Sequence, residues 1–521
     1  MTDCRCGFRG ALQPINTVGC REEGHKSIEP IHKHIKHGGN FMKKVISTFL
    51  VVAMLLSFAA CNGAPATSRS PAASAGSTAG EVYPENGLPK DVKVTLKMCV
   101  NESGTGSEFK EKAVEQFMER FPNVTIEFTA MPAAYTLIDT KIQAGDIDDM
   151  YDIIEYDNPE QLIAAGKIEM VDDLWDRTPY DRDDVTMREL TTDVYYELSY
   201  TEGWPDGEAH VSAFPFMGGS GGGLYFNKKQ FEEHGWNQNP RTWQEFLDLC
   251  EDIKADGVAP IVFTGVYGDY LNQAFGTKPF ELAEKNGNLE AFTENYRTWQ
   301  IPLYTTPEYM ETYERISSLG QKGYFADGIA ALNHTQAQMK LLQGEAAMCS
   351  TGTWVGNEMA DATPEDFEWG FMGVPFGDDP DDPIWLYSSK GWGYRIWAEK
   401  PELNKKWAKE LCLWMVNMDL QEDMAENGGM IPTIRSDYAE DEARMEKVQE
   451  APRAYMDYIN NNNVKFESLE HRFMLTSAKA AQAQKTLDES YAGMATGSLD
   501  YKEVLARVDA LYTEGLAEEA K

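Results

Sequence analysis

Between Val92 and Phe128 the hydrophobic period of the chain changes twice, and this restricts its possible folds more than any other stretch. Val92, Val94, Leu96, Met98 and Val100 occupy alternate positions, the period of a β-strand. Phe109, Ala113, Phe117 and Phe121 then recur at helical spacing until Pro122 ends the run. Val124 to Phe128 returns to strand character. Strand, helix, strand at this spacing predicts a βαβ unit, and hence a parallel sheet covered by helices. The polar loop from Asn101 to Ser107 then falls at the carboxyl edge of that sheet, where α/β folds bind ligands. A further helix is expected over Leu137 to Gly145, and a strand over Tyr151 to Tyr156 closed by Asp157. At 521 residues the chain is too long for one hydrophobic core, so two lobes or domains are expected.

The formal net charge of −37 argues against nucleic-acid binding and against adhesion to an anionic membrane through basic patches. It also removes carboxylate pairs as evidence of catalysis, because chance supplies many of them. Of the 8 cysteines, Cys4, Cys6, Cys20 and Cys61 lie at or before the end of an export signal. Cys99, Cys250, Cys349 and Cys412 each sit inside an apolar strand or helix and read as isolated buried thiols. Four cysteines outside the cytoplasm also allow disulfides, whose pairing the sequence does not decide.

Met42-Lys43-Lys44 is a basic n-region and Val45 to Ala60 an apolar segment too short to span a membrane comfortably. Ala59-Ala60-Cys61 resembles a bacterial lipobox, although Phe58 stands where that motif usually has Leu. The resemblance implies a diacylglyceryl group on Cys61, and two acyl chains give stable attachment to the outer face of the cell membrane. A plain secretion signal is the alternative. Residues 1–41 hold three cysteines and His25, His32, His34 and His37, which suggests a metal-binding arm. A signal peptide belongs at the N-terminus, however, so we expect 1–41 to be an upstream extension from a mis-assigned start codon. Peptides from 1–41 in mass spectra of the native protein would overturn this. Residues 62–80 are Ala, Ser, Gly, Thr and Pro with almost no charge, and 61–90 is expected to act as a flexible tether.

From Gly221 to Gly257 the local signals are explicit. Leu224-Tyr225-Phe226 is strand-like, Asn227 caps a short helix, and Gly235 ends it. Thr242 and Glu245 form a capping-box pattern ahead of a helix whose buried face is Trp243, Phe246, Leu247, Cys250 and Ile253. This wording closely resembles the extracytoplasmic solute-binding lipoproteins of ABC importers, in the carbohydrate-binding, maltose-binding-protein-like family 1. Leu342-Gln-Gly-Glu-Ala-Ala-Met348 with Gly352 and Trp354 is similar to a second signature of that family. The resemblance runs from about Asp91 to the end of the chain.

It implies an α/β fold of two lobes, each a mainly parallel sheet with covering helices, joined by a hinge that the chain crosses several times. The expected division is 91–217 in the first lobe and 218–380 in the second. Residues 381–426 then return to the first lobe, and 427–521 are helices of the second. Crossings are expected in the glycine run Phe214 to Gly223, near Pro375–Gly391, and near Asn427–Pro432. Gly218, Gly219 and Gly221 are the hinge candidates, since glycine absorbs large changes in φ and ψ. The run lacks the Lys-Ser/Thr of a phosphate-binding loop. The acidic Asp378-Asp379-Pro380-Asp381-Asp382 turn fits the second crossing; a calcium site is possible there, although its spacing differs from an EF-hand loop.

A sugar ring presents an apolar face and a rim of hydroxyls, which an aromatic platform and neighbouring polar groups can meet. Of 12 tryptophans, Trp243, Trp407 and Trp414 lie on inward helix faces and read as structural. Trp354 and Trp392 are the leading platforms, with Trp385, Tyr267 and Tyr270 behind them. Asp157, Asn101, Glu102 and Ser107 are the polar candidates, and Arg395 would clamp an acidic glycan. The function implied is capture of a sugar or oligosaccharide by a monomer that closes its lobes and presents the closed form to permease subunits. No cofactor and no nucleic acid are involved. Iron, peptide, polyamine or phosphate in the same fold is the alternative, Tyr195-Tyr196 being the iron motif to weigh against ordinary packing. A secreted glycoside hydrolase is a more remote alternative, since no carboxylate pair is marked.

Overall fold

The computed structural model describes residues 80–519, apart from 103–105, 133, 146–148, 157–158, 192 and 430–434. Strands β1 (Val94–Asn101), β2 (Val124–Met131) and β3 (Ile153–Ile154) run parallel, β1 lying between the other two. The alternation read from the sequence holds for Val94, Leu96, Met98 and Val100, but Cys99 is equally buried. Both faces of the strand are covered, as in a parallel sheet clothed by helices. Val92 precedes the strand and is exposed. A ribbon of β4 (Tyr200–Thr201) and β5 (His210–Val211) leads into β6 (Phe214–Met217). The chain then passes into a second sheet through β7 (Gly221–Asn227), β8 (Ala259–Val262), β9 (Ala346–Gly352), β10 (Trp369–Met372) and β11 (Ile384–Ser388). It returns to the first sheet with β12 (Trp392–Ile396) and ends in the second with β13 (Val464–Glu467) and two long helices, Ala478–Thr496 and Tyr501–Glu519.

The first sheet has the order β2-β1-β3-β12-β6, and the second β13-β11-β7-β9-β8 with β10 also on β7. Both are mixed and not mainly parallel as expected, because the crossing strands β6, β7 and β12 pair antiparallel with their neighbours. Each has its own core. In the first, the face Phe109-Ala113-Phe117-Phe121 packs on Trp407, which is fully buried, with Phe121 at 5.0 Å. The second is larger and is built around Tyr225, Phe246, Phe280 and Met348. Cys99, Cys250, Cys349 and Cys412 are all free and buried, one or more in each lobe, so no disulfide contributes to either core.

The local signals of the 221–257 stretch are realised with one change. Asn227 accepts the Lys229 N–H, and Gly235 stands at φ 70°, a left-handed stop that costs glycine little. Thr242 accepts the Glu245 N–H, but the Glu245 carboxylate takes the N–H of Arg241 at 2.7 Å instead of that of Thr242. The box is therefore half formed.

Two chain crossings meet back to back. The Ser389 N–H donates to the Ser220 carbonyl at 3.0 Å, and the Ser220 N–H donates to Ser389 Oγ at 2.9 Å. At this contact a Cβ on Gly219 would lie 1.8 Å from the Ser389 carbonyl oxygen, and one on Gly221 would lie 2.1 Å from the Tyr455 ring. Gly218, Gly219 and Gly221 all hold φ values open to any residue, so what Gly219 and Gly221 supply here is the missing Cβ. The return to the first lobe also comes later than the expected 381: β11 belongs to the second sheet, and the chain crosses between Ser388 and Trp392. The third expected crossing, near Asn427–Pro432, lies partly outside the described residues. Gly219→Ala is expected to lower stability by about 1–3 kcal/mol in urea or thermal unfolding, the usual cost of overpacking. An unchanged midpoint would show that the crossing strands separate freely.

Candidate ligand-binding cleft

Strand direction decides which loops face the gap between the lobes. β6 runs toward the first crossing, so its carboxyl end points at the second lobe. β12 is antiparallel to β6 and begins at that edge with Trp392. β3 is antiparallel to β12, and β1 and β2 run parallel to β3, so Asn101, Met131, Glu155 and Tyr156 all stand on this edge. In the second lobe β7 starts at the crossing, β9 runs antiparallel to it, and β8 runs parallel to β9. Trp354 and the loop holding Tyr267 and Tyr270 therefore stand on the facing edge.

A cavity of about 660 Å³ lies between the lobes at the β12 and β13 end. From the first lobe it is lined by Glu160, Thr201, Ser212, Trp392 and Arg395, and from the second by Asn272, Leu469, His471, Gln484 and Tyr491. The crossing segment Ser389–Gly391 forms part of its wall. Trp392 is half-buried and reaches the cavity through an irregularity in the β12–β6 register between Trp392 and Gly393. Gly393 allows this, since a Cβ there would lie 2.2 Å from the Phe214 carbonyl oxygen. Arg395 donates from Nη1 to the Tyr156 carbonyl. Glu160 has a buried carboxylate oxygen, Oε2, without a hydrogen-bond partner, and burial raises its pKa.

The loop after β13 forms the other wall. Leu469 adopts φ 59°, a left-handed conformation unusual for a branched residue, and is held there from both sides. Its N–H donates to Glu467 Oε1 at 3.0 Å, and its carbonyl accepts from the Tyr296 hydroxyl at 2.9 Å. His471 is sandwiched between Trp299 (3.4 Å between ring centres) and Tyr296 (4.3 Å). Its Nδ1 lies 2.6 Å from the Tyr296 carbonyl oxygen, which can only accept, so Nδ1 carries the proton. Burial pushes the imidazole down to about 3, and it is neutral at physiological pH. Glu470 pairs with Lys390 of the crossing at 2.5 Å. Arg472 is held by Glu294 at 3.0 Å and reaches Glu202 of the first lobe at 2.7 Å, an ion pair between the lobes.

The other expected residues fall into four groups. Trp354 lies on the inter-lobe edge but outside the cavity: its ring covers Gly352, where a Cβ would come within 2.1 Å, and it meets Tyr270 edge-on at 6.3 Å. Tyr267 is half-exposed beside His334, at 6.2 Å between ring centres. Asn101, Glu102 and Ser107 stand on the facing edge of the first lobe, tied into local structure. The buried Lys110–Glu155 pair (2.8 Å) holds the Asn101 backbone, Glu102 accepts the Gly106 N–H at 3.1 Å, and Ser107 Oγ donates to Glu111 at 3.1 Å. Trp385 is a correction. It is a core residue of β11, 6% exposed, stacked on Phe280 and donating to Glu284 at 2.8 Å. Asp157 lies outside the described residues.

Tyr196 packs between Trp175 and the Arg188 guanidinium, with its hydroxyl 3.1 Å from that of Tyr200, so packing accounts for this tyrosine. In the acidic turn, Asp379 and Asp382 accept backbone N–H groups of the turn itself, and Asp378 pairs with Lys285. Among the described residues no group of three His, Cys, Asp or Glu is placed to hold a metal ion. Glu160, His471 and Tyr491 were not anticipated. The one available signal for His471 was the non-helical break Asn462 to Ser477, with its short alternation Val464-Lys465-Phe466; Tyr491 sits within the helix that follows and carried none.

A family model described as bacterial extracellular solute-binding protein matches residues 101–422, more than half of the chain. The chain belongs to that family. This solute-binding protein is 23% identical over 291 residues to the multiple sugar-binding protein of Streptococcus mutans, an alignment covering 55% of this chain and 63% of that protein. It is 24% identical over 249 residues to the sn-glycerol-3-phosphate-binding periplasmic protein of Brucella abortus, covering 45% and 52%. The chain thus spans about half to just under two thirds of these relatives. Among solved structures, a chitin oligosaccharide binding protein superimposes with a TM-score of 0.60 at 19% identity, over 82% of this chain and 99% of that one. That likeness establishes the two-lobed α/β fold.

The His471 stack makes stability depend on pH. The folded imidazole stays neutral to about 3 whereas the unfolded one takes a proton near 6.5, so stability is complete above 6.5 and falls as pH drops from there toward 3. At pH 5 this one group is expected to remove about 2 kcal/mol relative to pH 7. His471→Phe keeps an aromatic ring without the titration, and urea titrations at the two pH values should show a shallower acid loss in the variant. Equal losses would show that His471 titrates normally.

Proposed function

We propose that this solute-binding protein captures a sugar or oligosaccharide outside the cell by closing its two lobes on it, and delivers the closed form to the permease of an ABC importer. The observation that carries this reading is the cavity itself, which draws its walls from both lobes. Trp392 offers a stacking face, and Thr201, Ser212, Asn272 and Gln484 offer neutral hydroxyl and amide partners. A ligand that touches both walls only when they approach shifts the population toward closure. The ion pair between Arg472 and Glu202 lies across the same gap.

A phosphorylated polyol is the second reading, favoured by the glycerol-phosphate-binding relative. The cations at the cavity argue against it: Lys390 is paired with Glu470, and Arg395 donates to the Tyr156 carbonyl. Iron, peptide and polyamine are weaker, the cavity offering a stacking ring and neutral partners. Glycoside hydrolysis needs two carboxyl groups in complementary states. Among the described residues lining the cavity, Glu470 is bound to Lys390, which leaves Glu160. In this reading capture proceeds without catalysis or cofactor, by a monomer tethered through a lipid on Cys61 and the 62–80 linker.

A thermal-shift screen against neutral and acidic glycans, glycerol phosphate, iron and peptides tests this. Ligand at 1,000 times its Kd is expected to stabilise the fold by about 4 kcal/mol, visible as a clear rise in Tm. Trp392→Ala should lose most of that rise while retaining the Tm of the free protein within a few degrees. A rise with glycerol phosphate alone would overturn the sugar reading in favour of the second.

A further inference from the structure

The cavity continues past the gap between the lobes. Beyond Trp392 and His471 it enters the second lobe between the helices Leu271–Phe275, Pro307–Gln321 and Ala478–Thr496. The walls there are Tyr296, Tyr304, Tyr309, Tyr313 and Tyr491, each less than a tenth exposed, with Ile316 among them. Tyr304 is backed by Tyr512, stacked at 5.7 Å, and packs against Tyr309 at 5.0 Å. The polar groups along it are already oriented: the Tyr491 hydroxyl receives the Asn272 amide at 3.0 Å, and Gln484 Oε1 accepts from Tyr512 at 3.0 Å.

Charge is distributed unevenly. Glu160, Arg395, Lys390 and Glu470 all stand at the mouth, on the first lobe, the crossing or the loop after β13. No residue lining the inner branch carries a charge; burial raises the phenol pKa values, so the tyrosines stay neutral, and His471 at the lip is neutral as well. A charged group carried into such a branch would be desolvated without a counter-ion. An uncharged ring would meet flat aromatic faces and fixed hydroxyl and amide groups.

We propose that this inner branch is a terminal-unit pocket: the ligand enters end-on, its last ring uncharged and held among the tyrosines, and the remaining units lead out past Trp392. This rests on the sugar reading and narrows it to neutral glycans with one free terminus. Termini bearing uronate, sulfate or phosphate are excluded, and affinity is counted from one end of the chain only.

The test uses the full chain and calorimetry with a neutral oligosaccharide taken from the thermal-shift screen. Two derivatives are compared with the parent, one oxidised to a carboxylate at its non-reducing terminal unit, the other carrying an aryl amide tag at its reducing end. One of the two is expected to bind about 100-fold more weakly and the other within about threefold of the parent. Equal tolerance of both, or equal loss of both, overturns the terminal pocket while leaving sugar capture standing. Failure of every neutral glycan to bind overturns the capture reading and the pocket with it. Ile316→Phe, placed inside the branch, should cost about tenfold or more in affinity for the parent glycan. If that variant folds, as judged by Tm, and binds unchanged, the branch is not occupied.

Discussion

The structure depends on one close contact, where the Gly218–Ser220 and Ser389–Gly391 segments pass against each other. Two backbone–side-chain and backbone–backbone hydrogen bonds join them, at a separation that leaves no room for a Cβ on Gly219. Because both strands leaving this point enter sheets of fixed direction, the contact decides which edge of each sheet faces the gap. Trp392 is the first residue of β12 beyond the crossing, and Gly221 the first of β7. Crossing and cavity wall are thus built from the same few residues. A motion at the crossing necessarily moves Trp392 relative to the loop after β13.

The cavity between the lobes is chemically two-sided. Its mouth holds ionisable groups, of which Lys390 and Glu470 pair with each other, Arg395 binds backbone and Glu160 keeps one unpartnered carboxylate oxygen, and its inner part holds aromatic rings and neutral donors and acceptors. Such a surface suits a ligand with alternating apolar faces and hydroxyls better than it suits an ion. The loop from Leu469 to Met474 joins the two parts. It is pinned by the left-handed Leu469, by the His471 stack and by the double pairing of Arg472. Pre-ordering this wall lowers the entropy cost of organising it around a ligand. Surface ion pairs such as Arg472–Glu202 contribute about 1 kcal/mol or less, enough to bias a balance between two lobe positions without fixing it.

Much of this was legible in the chain. The period changes between Val92 and Phe128 led correctly to the βαβ unit because helix and strand burial are local consequences of 3.6 and 2.0 residue repeats. The cap at Asn227 and the stop at Gly235 were legible for the same reason. The isolation of the four cysteines followed from their apolar settings. Trp354 and Trp392 were read as stacking platforms from motif and strand ends; both lie on the inter-lobe edge, but Trp392 lines the cavity and Trp354 packs on Gly352 outside it. Trp385 was not distinguishable from them, since a tryptophan in a strand looks the same whether its ring turns toward the gap or toward Phe280.

The sequence by itself determined the elements, the family and the two-lobed architecture, because these rest on short-range periodicity and on motifs a few residues long. Only the tertiary structure decided where the cavity lies and what lines it. Glu160, Tyr296, His471 and Tyr491 come from segments separated by up to about three hundred residues. They converge because the last helices return to the second lobe and fold over the loop after β13. No local pattern encodes such a convergence, which is set by the packing of helices on a sheet whose direction was fixed at the crossing.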